Sequence, residues 1–134
     1  GRRWRYKSTP SATITDAVLG IEQSLTNLAA PPMPAGLGLH PWFRRPIEVR
    51  IDASHVLPSN IDSVATVEPV SGLLDLRSIR PVPDDIDATW LRAGDPAVEL
   101  RWPTLGVTAS MRVGMQDPVC IVVASPHEIA AVAI

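Results

Sequence analysis

Few residues in this chain have acid, base or nucleophilic chemistry, and the best placed is His40. It stands in Pro32–Arg45, PMPAGLGLHPWFRR, among three prolines, two glycines and two large aromatics. Pro34 and Pro41 fix φ and remove a donor. Gly36 and Gly38 are open to dihedrals closed to other residues, and Pro41 biases His40 to extended backbone. The segment is expected to be a rigid, non-helical approach that delivers one imidazole to a defined place. An imidazole titrates near neutral pH, so it can give or take a proton in acid–base chemistry.

The other chemistry-bearing residues read more plainly as structure. Asp84, Asp85 and Asp87 crowd into PDDIDATW, Pro83 to Trp90, where aspartates serve as turn or cap acids. Glu68, in TVEPVSG, is expected to be an exposed acid at a strand end. His55 and His127 have no metal-like spacing to another ligand and are expected to be surface or capping histidines, so no metal site is expected. Cys120, within VCIVV, has no basic neighbour to favour a thiolate and is expected to be a buried structural thiol. No glycine-rich phosphate loop opens a helix and no serine sits in a nucleophile elbow, so no nucleotide or other cofactor is expected.

The elements that must position His40 are strands. Fourteen prolines in 134 residues leave no room for a long helix. Alternation or β-rich composition marks Arg3–Thr9, Val18–Asn27, Ile47–Ala53, Ala97–Trp102, Gly106–Val113 and Val119–Ala124, each bounded by Pro, Gly or Asp. The clearest is IEVRIDA, which sets Ile47, Val49 and Ile51 on one face and Glu48, Arg50 and Asp52 on the other. A Thr-rich polar stretch lies at Ser11–Asp16, a bend is expected over His55–Ser63, a short strand at Val64–Val67, and an irregular connection over Leu73–Asp87. The tail His127–Ile134 suits helix and strand equally. The fold class is all-β, an antiparallel β-sandwich or barrel.

Composition bounds the function classes. Apolar residues make up 46% and charged residues 19%, a globular composition, and the net charge of −2 points to no polyanionic partner. Arg2, Arg3, Arg5 and Lys7 interleave with Trp4 and Tyr6, which a nucleic-acid-binding arm also does, but the faintly acidic remainder favours a two-faced strand and no nucleic-acid partner. No apolar run reaches the roughly 18 residues of a membrane-spanning helix, and no membrane partner is expected. One cysteine permits no internal disulfide, which fits a reducing, cytoplasmic compartment. The first residue is glycine, so the chain is expected to be a processed or excised piece.

The run Leu25–Arg45, LTNLAAPPMPAGLGLHPWFRR, resembles the aldose 1-epimerase (galactose mutarotase) family, in which a strand ending in Thr-Asn leads through a loop to a glycine, histidine, proline and aromatic segment. PDDIDATW is similar to that family's acidic segment, an aspartate shortly before an aromatic. The resemblance implies a mutarotase-like β-supersandwich, of which residues 1–134 are one partial, central domain, and an aldose monosaccharide as substrate. Members interconvert α and β anomers: a glutamate takes the C1 hydroxyl proton, a histidine protonates the ring oxygen, and the opened aldehyde recloses from its other face. On this resemblance His40 is the general acid, Asp87 accepts hydrogen bonds from sugar hydroxyls, and Trp42 or Phe43 walls the site, whereas Trp102 is packing. The family's glutamate lies in a late Glu-Pro segment expected to begin where this chain stops, at Ile134, and Glu68–Pro69 imitates that segment in the wrong place. The chain alone is therefore expected to lack half of the acid–base pair. Two other readings are a carbohydrate-binding module without catalysis and a structural β-domain that forms homo-oligomers, or joins missing segments, through exposed strand edges.

Overall fold

A computed structural model describes residues 4–59, 65–114 and 118–134. By internal contacts the chain divides into two compact units, Gly1–Leu39 and His40–Ile134. All of its sheets are antiparallel.

The first unit is a two-stranded ribbon, β1 (Tyr6–Thr15) and β2 (Val18–Asn27). Residues 6–9 of the expected Arg3–Thr9 strand and 11–15 of the Thr-rich stretch run together in β1, Trp4 and Arg5 precede the strand and residue 3 lies outside the described residues, while β2 spans the residues its alternation predicts. Thr15 pairs with Val18, which leaves Asp16 and Ala17 as a two-residue turn, and Asp16 takes the positive φ of 43° such turns demand. The far end is tied by Asn27, whose Oδ1 accepts from the Ala29 N–H at 2.9 Å and whose Nδ2 donates to the Pro31 carbonyl at 2.9 Å. Neither Gly36 nor Gly38, in the approach to His40, adopts a left-handed φ, so the expected special backbone there is not used.

The second unit holds β3 (Trp42–Arg44), β4 (Glu48–Arg50), β5 (His55–Pro58), β6 (Glu68–Pro69), β7 (Arg80–Pro81), β8 (Asp87–Leu91), β9 (Val98–Trp102), β10 (Val107–Met111), β11 (Cys120–Ala124) and β12 (Ala131–Ala133). They form a four-stranded sheet, β10-β9-β4-β7, and a six-stranded sheet, β3-β12-β11-β8-β5-β6. One core cluster draws Val49, Val98 and Leu100 from the first and Val56, Ala88, Trp90, Val123 and Val132 from the second. Two sheets sharing a dry interior make a sandwich-like fold. The expected inward face of IEVRIDA is real: Ile47, Val49 and Ile51 are all buried.

Three local expectations are corrected. His55–Pro58 is a strand where a bend is expected, because Val56 fills the core opposite Trp90. No strand runs through residues 65–67, and the rest of the Val64–Val67 expectation lies outside the described residues, as does the 60–63 part of the bend. Cys120 is exposed, because the alternation of β11 turns Ile121 and Val123 inward and sends Cys120 and Val122 out. The irregular Leu73–Asp87 connection contains a 3-10 turn, Gly72–Leu74, and the short β7. The tail resolves as strand, with β12 between β3 and β11.

Candidate functional site

β3, β12, β11 and β8 are consecutive neighbours, and their ladders share one register row. Trp42 faces Ala133, Ala133 faces Ala124, and Ala124 faces Asp87. Residues directly paired across antiparallel strands put their side chains on the same face. Phe43 and Val132 in the row on one side, and Val123 and Ala88 in the row on the other, belong to the core cluster or pack against it, so the Trp42–Asp87 row faces away from that cluster. The row carries the exposed Trp42 and Asp87 at its two ends, with the half-buried Ala124 and the fully buried Ala133 between them. Three inter-strand spacings separate their backbones by about 14 Å.

His40 stands at the entry to β3. The Ile134 N–H donates to the Pro41 carbonyl at 3.1 Å, which carries the β12–β3 ladder past the last paired strand residue. The imidazole is exposed and lies against Trp42, ring centroids 5.5 Å apart and tilted by 55°. Phe43, the other aromatic of the segment, turns inward and meets Trp102 with centroids 6.0 Å apart. Trp102 packs as expected, and its indole N–H donates to the Arg44 carbonyl at 3.0 Å. Of the two aromatics, then, Trp42 is the exposed one and stands beside His40.

Asp87 is held by a residue that sequence reading does not find. The Ser59 hydroxyl donates to Asp87 Oδ1 at 2.9 Å, and the Ser59 N–H donates to the Asp87 carbonyl at 2.9 Å. Together they fix the carboxylate at the start of β8, and among the described residues Oδ2 has no hydrogen-bond partner. The partners are separated by 28 residues, so no local pattern signals them.

A second polar cluster secures the loops at this end of the unit. Arg45 reaches Asp84 at 2.9 Å and extends Nη2 toward the Ser125 carbonyl at 3.5 Å, while its own N–H donates to the Ala130 carbonyl at 3.0 Å. Asp85 has φ of 58°, donates its N–H to the Ser125 carbonyl at 2.8 Å and takes both the ring and the backbone N–H of His127 on Oδ1, at 2.7 and 3.1 Å. The His127 hydrogen bonds, the side-chain one first, hold the Asp85 carboxyl below the usual aspartate range. Asp84 and Asp85 thus act as turn acids, whereas Asp87 does not engage either loop.

The remaining candidates lie away from His40. Glu68 is exposed at a strand end, as expected, but β6 and β3 are the two opposite edges of the six-stranded sheet. Five strand spacings, roughly 24 Å, rule out Glu68 as a proton-transfer partner of His40. His55 and His127 are both exposed, His55 sharing a hydrogen bond with Ser54 at 2.9 Å. No group of three or more His, Cys, Asp or Glu side chains is arranged to hold a metal among the described residues. Among the described residues no helix is long and apolar enough to cross a membrane. No protein-family model, curated protein or solved structure matches the chain.

Proposed function

We propose that the chain carries the sugar-binding face of a carbohydrate-active protein of the aldose 1-epimerase type, with His40 as the general acid at the ring oxygen, Trp42 as the stacking wall and Asp87 as the hydroxyl acceptor. The observation that supports this reading is the register row: the exposed Trp42 and Asp87, 45 positions apart in sequence, stand in one row at one end of one sheet. A tryptophan face and an exposed carboxylate acceptor are the two groups a pyranose needs, one for its apolar C–H face and one for its hydroxyls. His40, packed on Trp42, is the titratable side chain beside that indole, which supports its role as the proton donor.

Proton transfer to the ring oxygen opens the ring only if a base removes the C1 hydroxyl proton, and His40 makes no ion pair among the described residues. A protein containing this chain and a carboxylate opposite His40 is expected to accelerate mutarotation of a simple aldose in a polarimeter. His40→Asn should lower that rate about 100-fold or more, the scale of a lost general acid. A variant at full rate removes His40 from the mechanism. A second reading is sugar binding without turnover. In that case Trp42→Ala abolishes sugar binding while His40→Asn leaves it intact and no rate enhancement exists to lose.

A further inference from the structure

On the other sheet, the connection from the 3-10 turn to β7 forms a shallow, solvent-open cavity lined by Gly72, Asp75, Arg77, Ser78 and Arg80. Two of its three charges are spent on each other: Arg77 grips Asp75 with a fork, Nε to Oδ1 at 2.8 Å and Nη2 to Oδ2 at 2.6 Å. That fork, together with the Arg77 N–H, holds the Asp75 carboxyl down to about 2, so it stays ionised and fully engaged. The neighbouring Arg50 is also committed, to Asp52, Glu99 and the Arg77 carbonyl.

Arg80 is different. Its Nη1 makes two long contacts, to the carbonyls of Gly72 at 3.4 Å and Asp75 at 3.5 Å. Among the described residues it forms no ion pair, and its Nε and Nη2 have no acceptor. The half-buried guanidinium is thereby aimed by backbone oxygens but not neutralised. The lining carries two arginines and one aspartate, 2 − 1 = +1. A single uncommitted guanidinium edge matches a planar monoanion better than a dianion. The rest of the wall, the Ser78 hydroxyl and backbone carbonyls, suits hydroxyl groups rather than an apolar body.

We propose that Arg80 anchors a binding site for a small hydroxylated monocarboxylate, with the chemistry of a sugar acid, in the cavity between the 3-10 turn and β7. This site is separate from the outer face of the six-stranded sheet and does not depend on how that face is used. The test titrates the whole chain with D-gluconate, with inorganic phosphate and neutral D-glucose as comparison probes, by calorimetry and by backbone amide shifts. Saturable gluconate binding with shifts at Gly72, Ser78 and Arg80 is expected, tighter than for phosphate or glucose. Arg80→Met should weaken it at least about tenfold, Arg80→Lys should weaken it less, and Arg112→Met, which alters a pair remote in sequence, should leave it unchanged. A thermal midpoint equal to that of the parent chain shows that Arg80→Met remains folded; if it does not, Arg80→Lys, which keeps the charge and loses the fork, carries the comparison. No saturable gluconate binding, wild-type affinity in the folded Arg80 variants, or a preference for phosphate or glucose would overturn the assignment.

Discussion

The ribbon of the first unit and the sandwich of the second are built from similarly alternating strands, yet only one has an interior. In β1 and β2 the paired positions Ala12–Ile21 and Ile14–Leu19 put apolar side chains on one face, while Thr13, Thr15, Glu22 and Ser24 occupy the other. Ile14, Leu19 and Ile21 are nevertheless 78%, 62% and 48% exposed. In β8 and β11 the same alternation hides Trp90 and Val123 completely. Alternation decides which face is apolar, and a second sheet decides whether that face is buried. Substitutions should therefore have very different consequences in the two units.

The largest effect is expected at Trp90, which is fully buried and donates its indole N–H to the Leu74 carbonyl at 3.0 Å. Trp90→Ala should cost about 3–5 kcal/mol in urea unfolding, chiefly from the cavity, since the Leu74 carbonyl keeps its bond from the Leu76 N–H. Ser125 comes next. It is fully buried, and its hydroxyl donates to the Pro83 carbonyl. Ser125→Ala should cost about 1–3 kcal/mol by leaving that carbonyl unsatisfied. Ile14→Ala and Ile21→Ala in the ribbon should each change stability by less than about 0.5 kcal/mol. A loss at Ile14 or Ile21 as large as that at Trp90 would break the comparison, by showing that the ribbon's apolar face is covered in solution.

The smallest effect separates acid behaviour. The folded-state pKa of Asp85 lies below its unfolded value, so its contribution is complete above the unfolded pKa, about 4, and is lost as pH falls through the folded value. Asp75, held down to about 2, acts in the same direction over about pH 4 to 2. Both belong to the second unit. Asp85→Asn and Asp75→Asn should flatten the fall in stability below pH 4 by lowering the neutral plateau toward the acid level, and by a small amount, since both pairs are exposed and screened. An unchanged acid limb in both variants would mean that these pairs are not formed in solution.

Much of this contrast is legible in the sequence. IEVRIDA, AVELRW and VCIVV announce their strands because each alternates, or runs apolar, between turn residues. Cys120 is misjudged because a continuous apolar run hides which residues face inward, and only the pairing with β8 decides it. His55–Pro58 is missed because its flanking serines and proline mimic a bend, while its reason for being a strand, Val56 against Trp90, is long-range. At the candidate site, His40 and Trp42 are visible as a shaped segment. Asp87 is visible only through a family resemblance, and Ser59 not at all, since its bond to Asp87 exists only once β5 lies beside β8.

The central claim is that the outer face at the Trp42–Asp87 row binds sugar. Its most direct test titrates the chain with a simple aldose while following backbone amide shifts and the Trp42 indole N–H. The account predicts saturable shifts confined to Trp42, His40, Ser59 and Asp87 and their cross-strand neighbours, abolished by Trp42→Ala in a variant with an unchanged unfolding midpoint. Shifts that never saturate, that lie elsewhere, or that persist in Trp42→Ala would contradict it.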